Sequence, residues 1–368
     1  MKVCIRDTAA AVTAVSAVVA LAACGAGAGG DPGGGNTPSI GLLLPDATTA
    51  RWEAQDRPLL EKKIKELCDT CVVEHANARG EVGTQQEQMD SMITKGVDAI
   101  VLVAVDGKSL ASSVSEARAA GIPVIAYDRL AQGPISGYVS FDGKEVGRLQ
   151  GRALLKAMGD GSDGSDGTPQ PQIVMMNGDP ADPNSALFKE GALSVLQGKV
   201  KIGKAYDTPL WRAETAHMNM SAAIAALGAD AIDGVYAAND GLAGGSISAL
   251  KANKVAPLPP VTGQDAELGA LRRIVAGDQY MTVFKPFGPE AAAGGAMAVA
   301  AARREALEEV ATSEVTPRGG ERVPAVLLTP MSVTADTIKD TVVKEGLHTV
   351  QQICTPQLRA ACEEAGLI

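Results

Sequence analysis

The feature that most limits what this chain can fold into is a regular alternation that begins at Ser39. Short, mainly apolar stretches, "SIGLLLP", "CVVEHAN", "DAIVLVAV" and "IPVIAYD", are separated by stretches of helical spacing, "ARWEAQDRPLLEKKIKEL", "GTQQEQMDSMITKG" and "GKSLASSVSEARAAG". A strand with no polar alternation has both faces covered, as in a parallel sheet whose crossover helices lie above and below it. The pattern predicts an α/β fold of doubly wound parallel sheets. It restarts around "GYVSFDGKEVG", and after the loop "GDGSDGSDGTPQP" a second series follows: "QIVMMNG", "KVKIGKAYD", "DAIDGVYAAND" and "APLPPVTGQD". Two α/β lobes of similar size are expected, and 368 residues with 46% hydrophobic content suffice for both cores. The loop carries Asp160, Asp163 and Asp166 at every third position. A calcium loop alternates its carboxylates at every second position, so this one reads as solvated linker.

Ahead of the alternation, Lys2 and Arg6 precede an apolar run from Ala9 to Ala23 that is too short to span a bilayer stably. That is the layout of an export signal. Small residues before a cysteine in Leu21-Ala22-Ala23-Cys24 match a bacterial lipobox, which makes Cys24 the lipid-bearing first residue of the mature chain. A plain signal peptide is the alternative. Residues 25–38, "GAGAGGDPGGGNTP", read as a flexible tether, so the expected location is the outer face of the bacterial cytoplasmic membrane. Setting aside Cys4 and Cys24 leaves Cys68, Cys71, Cys354 and Cys362, an even set that in an oxidising compartment predicts two local disulfides. A four-thiolate zinc site is the sharper alternative, but it usually shows two close pairs, and the second pair here is widely spaced. His75, His217 and His348 are scattered, so neither a metal nor a cofactor is expected.

Several function classes fail on the residues. A formal net charge of -10 without any basic cluster argues against nucleic acid as partner. Gly107-Lys108-Ser109 lacks the leading glycine of a phosphate loop, since Leu102 stands in its place, and the segment around Ser246 lacks the last glycine of a nucleophile elbow. No enzyme is predicted.

Ligands of open parallel sheets bind at the carboxyl ends of strands. Those ends carry Arg51-Trp52, Asp128-Arg129, Asn184, Trp211, Asn239-Asp240, Asp265 and Lys285. Asp, Asn, Arg and Lys side chains can together satisfy hydroxyls that each donate and accept, while the apolar faces of a pyranose need flat partners. Trp52 and Trp211 are the two tryptophans of the chain, each in a polar loop beside an arginine, Arg51 or Arg212. The set points to a polyhydroxylated ligand. Core packing for the tryptophans and a surface ion pair for Asp128 and Arg129 are the plainer alternatives.

In these residues the chain resembles the type I periplasmic sugar-binding proteins of ABC importers, most closely the D-xylose-binding and multiple-monosaccharide-binding proteins. The stretches that carry the resemblance include "ARWEAQDRPLLEKK", "GIPVIAYDRL", "DPADPNSALFKEGALSVL", "AANDGLAGGSISAL" and "GQDAELGALRRIVAGDQYMTVFKP", in order, over roughly Ser39 to Thr341. It implies two lobes joined by three crossovers: residues 39–141 with 264–285, and residues 142–263 with 286–335, followed by an extension over 336–368. It further implies that Arg51, Asp128, Arg129, Asn184, Asn239, Asp265 and Lys285 hydrogen-bond one sugar, with Asp240 adjacent, while Trp52 and Trp211 sandwich it. The expected partners are a monosaccharide, D-xylose first, and an ABC permease; the lipid on Cys24 tethers a monomer to the membrane. The alternative function is a sensor that presents glucose or another sugar to a chemoreceptor or sensor kinase. A lac-repressor-type regulator shares the fold, but a helix-turn-helix is missing where the signal and tether stand.

Overall fold

In chain order the elements are β1 (Ser39–Leu44), α1 (Arg57–Leu67), β2 (Val72–Asn77), α2 (Val82–Lys95), β3 (Ala99–Leu102), α3 (Ala111–Ala119), β4 (Val124–Tyr127) and β5 (Gly137–Phe141). Then come α4 (Gly143–Ala157), β6 (Gln172–Met176), α5 (Pro183–Leu196), β7 (Lys201–Tyr206), α6 (Ala213–Leu227), β8 (Gly234–Ala237), α7 (Asp240–Ala252), α8 (Leu268–Val275) and β9 (Thr282–Phe284). The last are α9 (Phe287–Ala302), β10 (Ser313–Val315), β11 (Val323–Leu328), β12 (Met331–Val333), α10 (Val350–Ile353) and α11 (Arg359–Glu364). The computed structural model describes residues 37–160 and 169–368. The expected signal, the lipobox Cys24, tether residues 25–36 and the centre of the acidic loop lie outside the described residues.

The first lobe is a sheet of order β10-β11-β5-β4-β3-β1-β2, parallel except for β10. Its continuous apolar runs divide by pleat between two cores. Leu42, Leu44, Val101, Ile125, Tyr127 and Val139 meet α1 and α9 on one face, while Leu43, Ile100, Leu102, Val124 and Ala126 meet α2 and α3 on the other. The second lobe is built on β7-β6-β8. It is widened by the bridge between Val235 and Val261, by bonds from Val283 N to Gly263 O and from Asp265 N to Val283 O, and by the antiparallel β9–β12 pair.

Two segments stand in the opposite lobe from the one implied by the resemblance. Residues 264–285 belong to the second lobe, since β9 pairs with β12 and Met281 and Val283 lie in the core of β6 and β8. Most of residues 286–335 return to the first lobe, where α9 packs on α1 and β11 pairs with β5. The chain therefore crosses between lobes at Asp142, at Lys285-Pro286 and at Thr329-Pro330. Cys68–Cys71 and Cys354–Cys362 are disulfides, which removes the zinc alternative.

Two local features fix the cavity walls. Trp52–Asp56 forms a wide π turn in which Arg57 N donates to Trp52 O. Pro58 has no N–H for the usual bond back to Ala54, so the looser turn precedes it. On the other lobe, α4 and α5 approach through glycines. A Cβ on Gly147 would lie 1.9 Å from Phe188 O, and one on Gly191 would lie 2.0 Å from Lys144 O. Gly191→Ala is expected to lower stability by about 1–3 kcal/mol. Gly83→Ala, on α2 with nothing within 4 Å, should raise it by about 0.5–1 kcal/mol. Urea unfolding midpoints of the two variants check the pair.

Candidate functional site

Strand ends of both lobes converge on a tight cavity of about 20 Å³. The first lobe supplies Thr49, Arg51 and Trp52 after β1, and Asp128 and Arg129 after β4. The second supplies Asp182, Asn184 and Phe188 at the start of α5, Trp211 after β7, Asn239 after β8, and Gln264 and Asp265 before α8. Lys285 stands in the second crossover. Nine of the ten sequence-predicted ligand residues are thus brought together. The tenth, Asp240, is turned away: its carboxylate accepts from Gln279 Nε2 (2.8 Å), Thr282 Oγ1 (2.9 Å) and Glu267 N (3.0 Å) inside the second lobe. It braces the neighbouring loop and does not line the cavity.

Each polar group arrives with part of its bonding capacity already used. Arg51 donates from Nε and Nη2 to Asp56 (2.7 and 2.6 Å), from Nη2 to Glu290 (2.6 Å) and from Nη1 to Asp128 (2.8 Å). Of its five N–H groups one remains for a ligand. Asn239 caps α7 by accepting from Leu242 N through Oδ1, so its amide hydrogens remain to donate. Asp182 caps α5 through Asn184 N and accepts from Trp211 Nε1 at 3.2 Å. Arg129 Nε lies 2.7 Å from Asp182 Oδ2, but its N–H is not aimed at that oxygen and finds no hydrogen-bond partner. Lys285 Nζ is 3.1 Å from Asp265 Oδ1, which likewise accepts no hydrogen bond. Trp52 Nε1 and Gln264 Oε1 are also buried and unpaired. Unpaired buried polar atoms are uncommon in folded proteins, and four lining residues carry them.

The two lobes meet directly here. Asn184 Nδ2 donates to Asp128 Oδ1 (2.9 Å) and to Asp128 O (3.2 Å), while Asp182 pairs with Arg129. Trp52 is stacked from one side by the Arg51 guanidinium, 4.5 Å from its ring centre. Trp211 rests edge-on against Phe188 and over Gly178, where a Cβ would lie 2.0 Å from its ring. Asp128, Trp211 and Asp265 hold φ of 57°, 54° and 95°. Positive φ in three non-glycine residues of one cavity is strain that the surrounding bonds impose.

A periodic alternation, a two-lobed architecture and a closed interlobe cavity agree with the comparisons. Residues 40–306 match the family model described as periplasmic binding protein domain. The D-xylose-binding periplasmic protein of Escherichia coli is 37% identical over 84% of this chain and 90% of its own length. The multiple sugar-binding periplasmic protein of Azospirillum brasilense is 32% identical over 86% and 91%. Among solved structures, an ABC transporter solute binding protein from Clostridium phytofermentans with bound β-D-glucose superposes with a TM-score of 0.78 at 30% identity, covering 86% of this chain and all of that one. This chain belongs to the sugar-binding periplasmic binding proteins. Such a binding protein is not an enzyme, in keeping with the failed catalytic motifs. Among its described residues no helix is long and apolar enough to cross a membrane.

The binding protein's cavity is electrically mixed. Burial alone pushes the Asp128 carboxyl up, but Lys285, Arg51 and Arg129 outweigh it and hold it at about 2. Burial lifts Asp182 to about 6 against the pull of Arg129, and Asp128 adds to the rise. Four lining residues were missed by sequence reasoning: Thr49, Asp182, Phe188 and Gln264. Two of them have legible signals: Asp182-Pro183 is the N-cap and first-turn proline of a helix, and Phe188 lies one turn beyond Asn184. Because folding raises the Asp182 pKa from its ordinary 3.8 to about 6, the folded state takes up a proton. The resulting penalty is absent below pH 3.8 and complete above pH 6. Asp182→Asn keeps the cap and removes the titration. Its stability relative to the parent should rise between pH 4 and pH 7, by on the order of 2–3 kcal/mol, as read from urea midpoints at both pH values.

Proposed function

We propose that this protein is the lipid-anchored substrate-binding component of an ABC sugar importer, and that it closes on one monosaccharide, D-xylose first. The observation that carries the reading is the cavity itself. Three cations, Arg51, Arg129 and Lys285, face three carboxylates, Asp128, Asp182 and Asp265, beside two tryptophans. A balanced set of donors and acceptors suits an uncharged polyol better than an ion, and indole rings suit the C–H faces of a pyranose. As it stands the cavity, about 20 Å³, holds little more than one water, so the lobes part to admit a sugar.

In this reading Arg51, Asp128, Arg129, Asn184, Asn239, Asp265 and Lys285 bond the hydroxyls, with Asp182 orienting Arg129 and Trp211. Sugar that bonds both lobes favours the closed form, and the closed lobes together form the surface a permease accepts. The name of the Escherichia coli relative supports xylose; the glucose in the Clostridium phytofermentans structure keeps a hexose within the test. Lipid on Cys24 holds the protein, as a monomer, close to its permease.

Calorimetric titration with D-xylose, D-glucose, L-arabinose, D-ribose and D-galactose tests the assignment. One-to-one binding is expected, tightest for D-xylose, with Trp52→Ala and Trp211→Ala each weakening it by about 10- to 100-fold. Tighter glucose binding would move the assignment to a broader monosaccharide carrier, and silence toward all five would overturn it. Cys24→Ser should shift the protein from the membrane pellet to the soluble fraction.

A further inference from the structure

Asp265 and Lys285 form the charged pair on the second-lobe side of the cavity, and both are set by residues that never reach it. Ala266, next to Asp265, is fully buried, and Phe284, next to Lys285, is buried as well. Both are planted in a separate apolar core completed by Ile338, Val342, Ile353, Cys362 and Leu367. All five come from the segment after β12, in which the Cys354–Cys362 disulfide links the end of α10 to α11. The segment is also tied to α8 by Arg272, whose Nε and Nη2 donate to Gln352 O at 3.1 and 2.6 Å.

The same two positions need an outside hold. Asp265 and Ala266 sit at φ 95° and 50°, a region that residues with a Cβ occupy when their surroundings fix it. Polar bonds supply part of the hold: Ala266 N donates to Thr282 Oγ1 at 3.2 Å, and Glu267 N donates to Asp240. The apolar part comes from the C-terminal core beneath Ala266.

We infer that residues 336–368 are a positioning element of the sugar site: their disulfide-braced core fixes Ala266 and Phe284, and through them the Asp265–Lys285 pair. The inference rests on the monosaccharide-binding reading above. Loosening this core costs affinity although none of its side chains lines the cavity.

The test is calorimetric titration of the purified protein with D-xylose and D-glucose, comparing the parent with two variants. One combines Cys354→Ala with Cys362→Ala. The other, Ile353→Val, removes a single methylene and keeps the disulfide should the first fail to fold. Affinity should fall about tenfold in the first and about threefold in the second, with cooperative unfolding retained. When either change is combined with Asp265→Asn, the loss should shrink to less than twofold, because the residue being positioned is no longer the same acceptor. Parent-like affinity in a folded variant, or an undiminished loss in the Asp265→Asn background, overturns the inference while leaving the sugar reading intact. A parent that binds neither sugar overturns that reading and this inference with it.

Discussion

The arrangement depends on the bonds gathered at Asp128. Its carboxylate accepts from Arg51 of its own lobe at 2.8 Å and from Asn184 of the other at 2.9 Å, and Lys285 of the crossover stands 3.6 Å away. Its carbonyl accepts from Tyr138 Oη and Ser140 Oγ, and its N–H donates to Val139 O at 2.7 Å. A residue so held keeps a φ that an isolated aspartate would leave, and it faces the cavity from the seam between the lobes. Lobe contact, crossover and cavity wall are therefore not independent parts. A change at this carboxylate disturbs all three.

Behind Asp128 the charges continue away from the cavity. Arg51 is shared between Asp56 and Glu290, and Tyr127 Oη donates to Asp56 Oδ1 at 2.8 Å. Burial raises the Glu290 carboxyl well above the usual range, with Arg51 opposing the rise. Three carboxylates, Asp56, Glu290 and Asp128, around one guanidinium in a dry interior are costly unless the geometry is satisfied nearly everywhere, and the return is a side chain locked in place. Glu290 lies on α9, the helix that begins right after the second crossover, so the lock also joins the crossover to the first-lobe wall.

The sequence carried the architecture because its central strands β3 and β4 are apolar without interruption and β1 nearly so, and Ile40, Leu42, Leu43 and Leu44 are indeed fully buried from both sides. It carried most of the site because groups at strand ends must converge where the strands point. What it could not carry is which lobe a returning segment joins. For residues 264–285 and 286–328 the choice is made by partners far away in the chain: β12 for one, β5 and α1 for the other. Asp240 misled for a related reason. It follows a true cavity residue, Asn239, but stands as the first residue of α7, where its side chain meets Gln279 and Thr282 instead. Asp182 was passed over because its role is split between capping a helix and orienting Arg129, and only the second is specific to this fold.

The glycine seam between α4 and α5 has a consequence for how such a cavity changes over generations. With Gly147 against Phe188 O and Gly191 against Lys144 O, the two helix backbones touch and cannot slide past one another without one of them acquiring a gap or a clash. The wall that carries Asn184 and Phe188 is consequently a fixed board on which side chains can be exchanged but whose position cannot drift. A new ligand preference on that side is reached by replacing letters at 182, 184 and 188, one at a time, on an unmoving backbone.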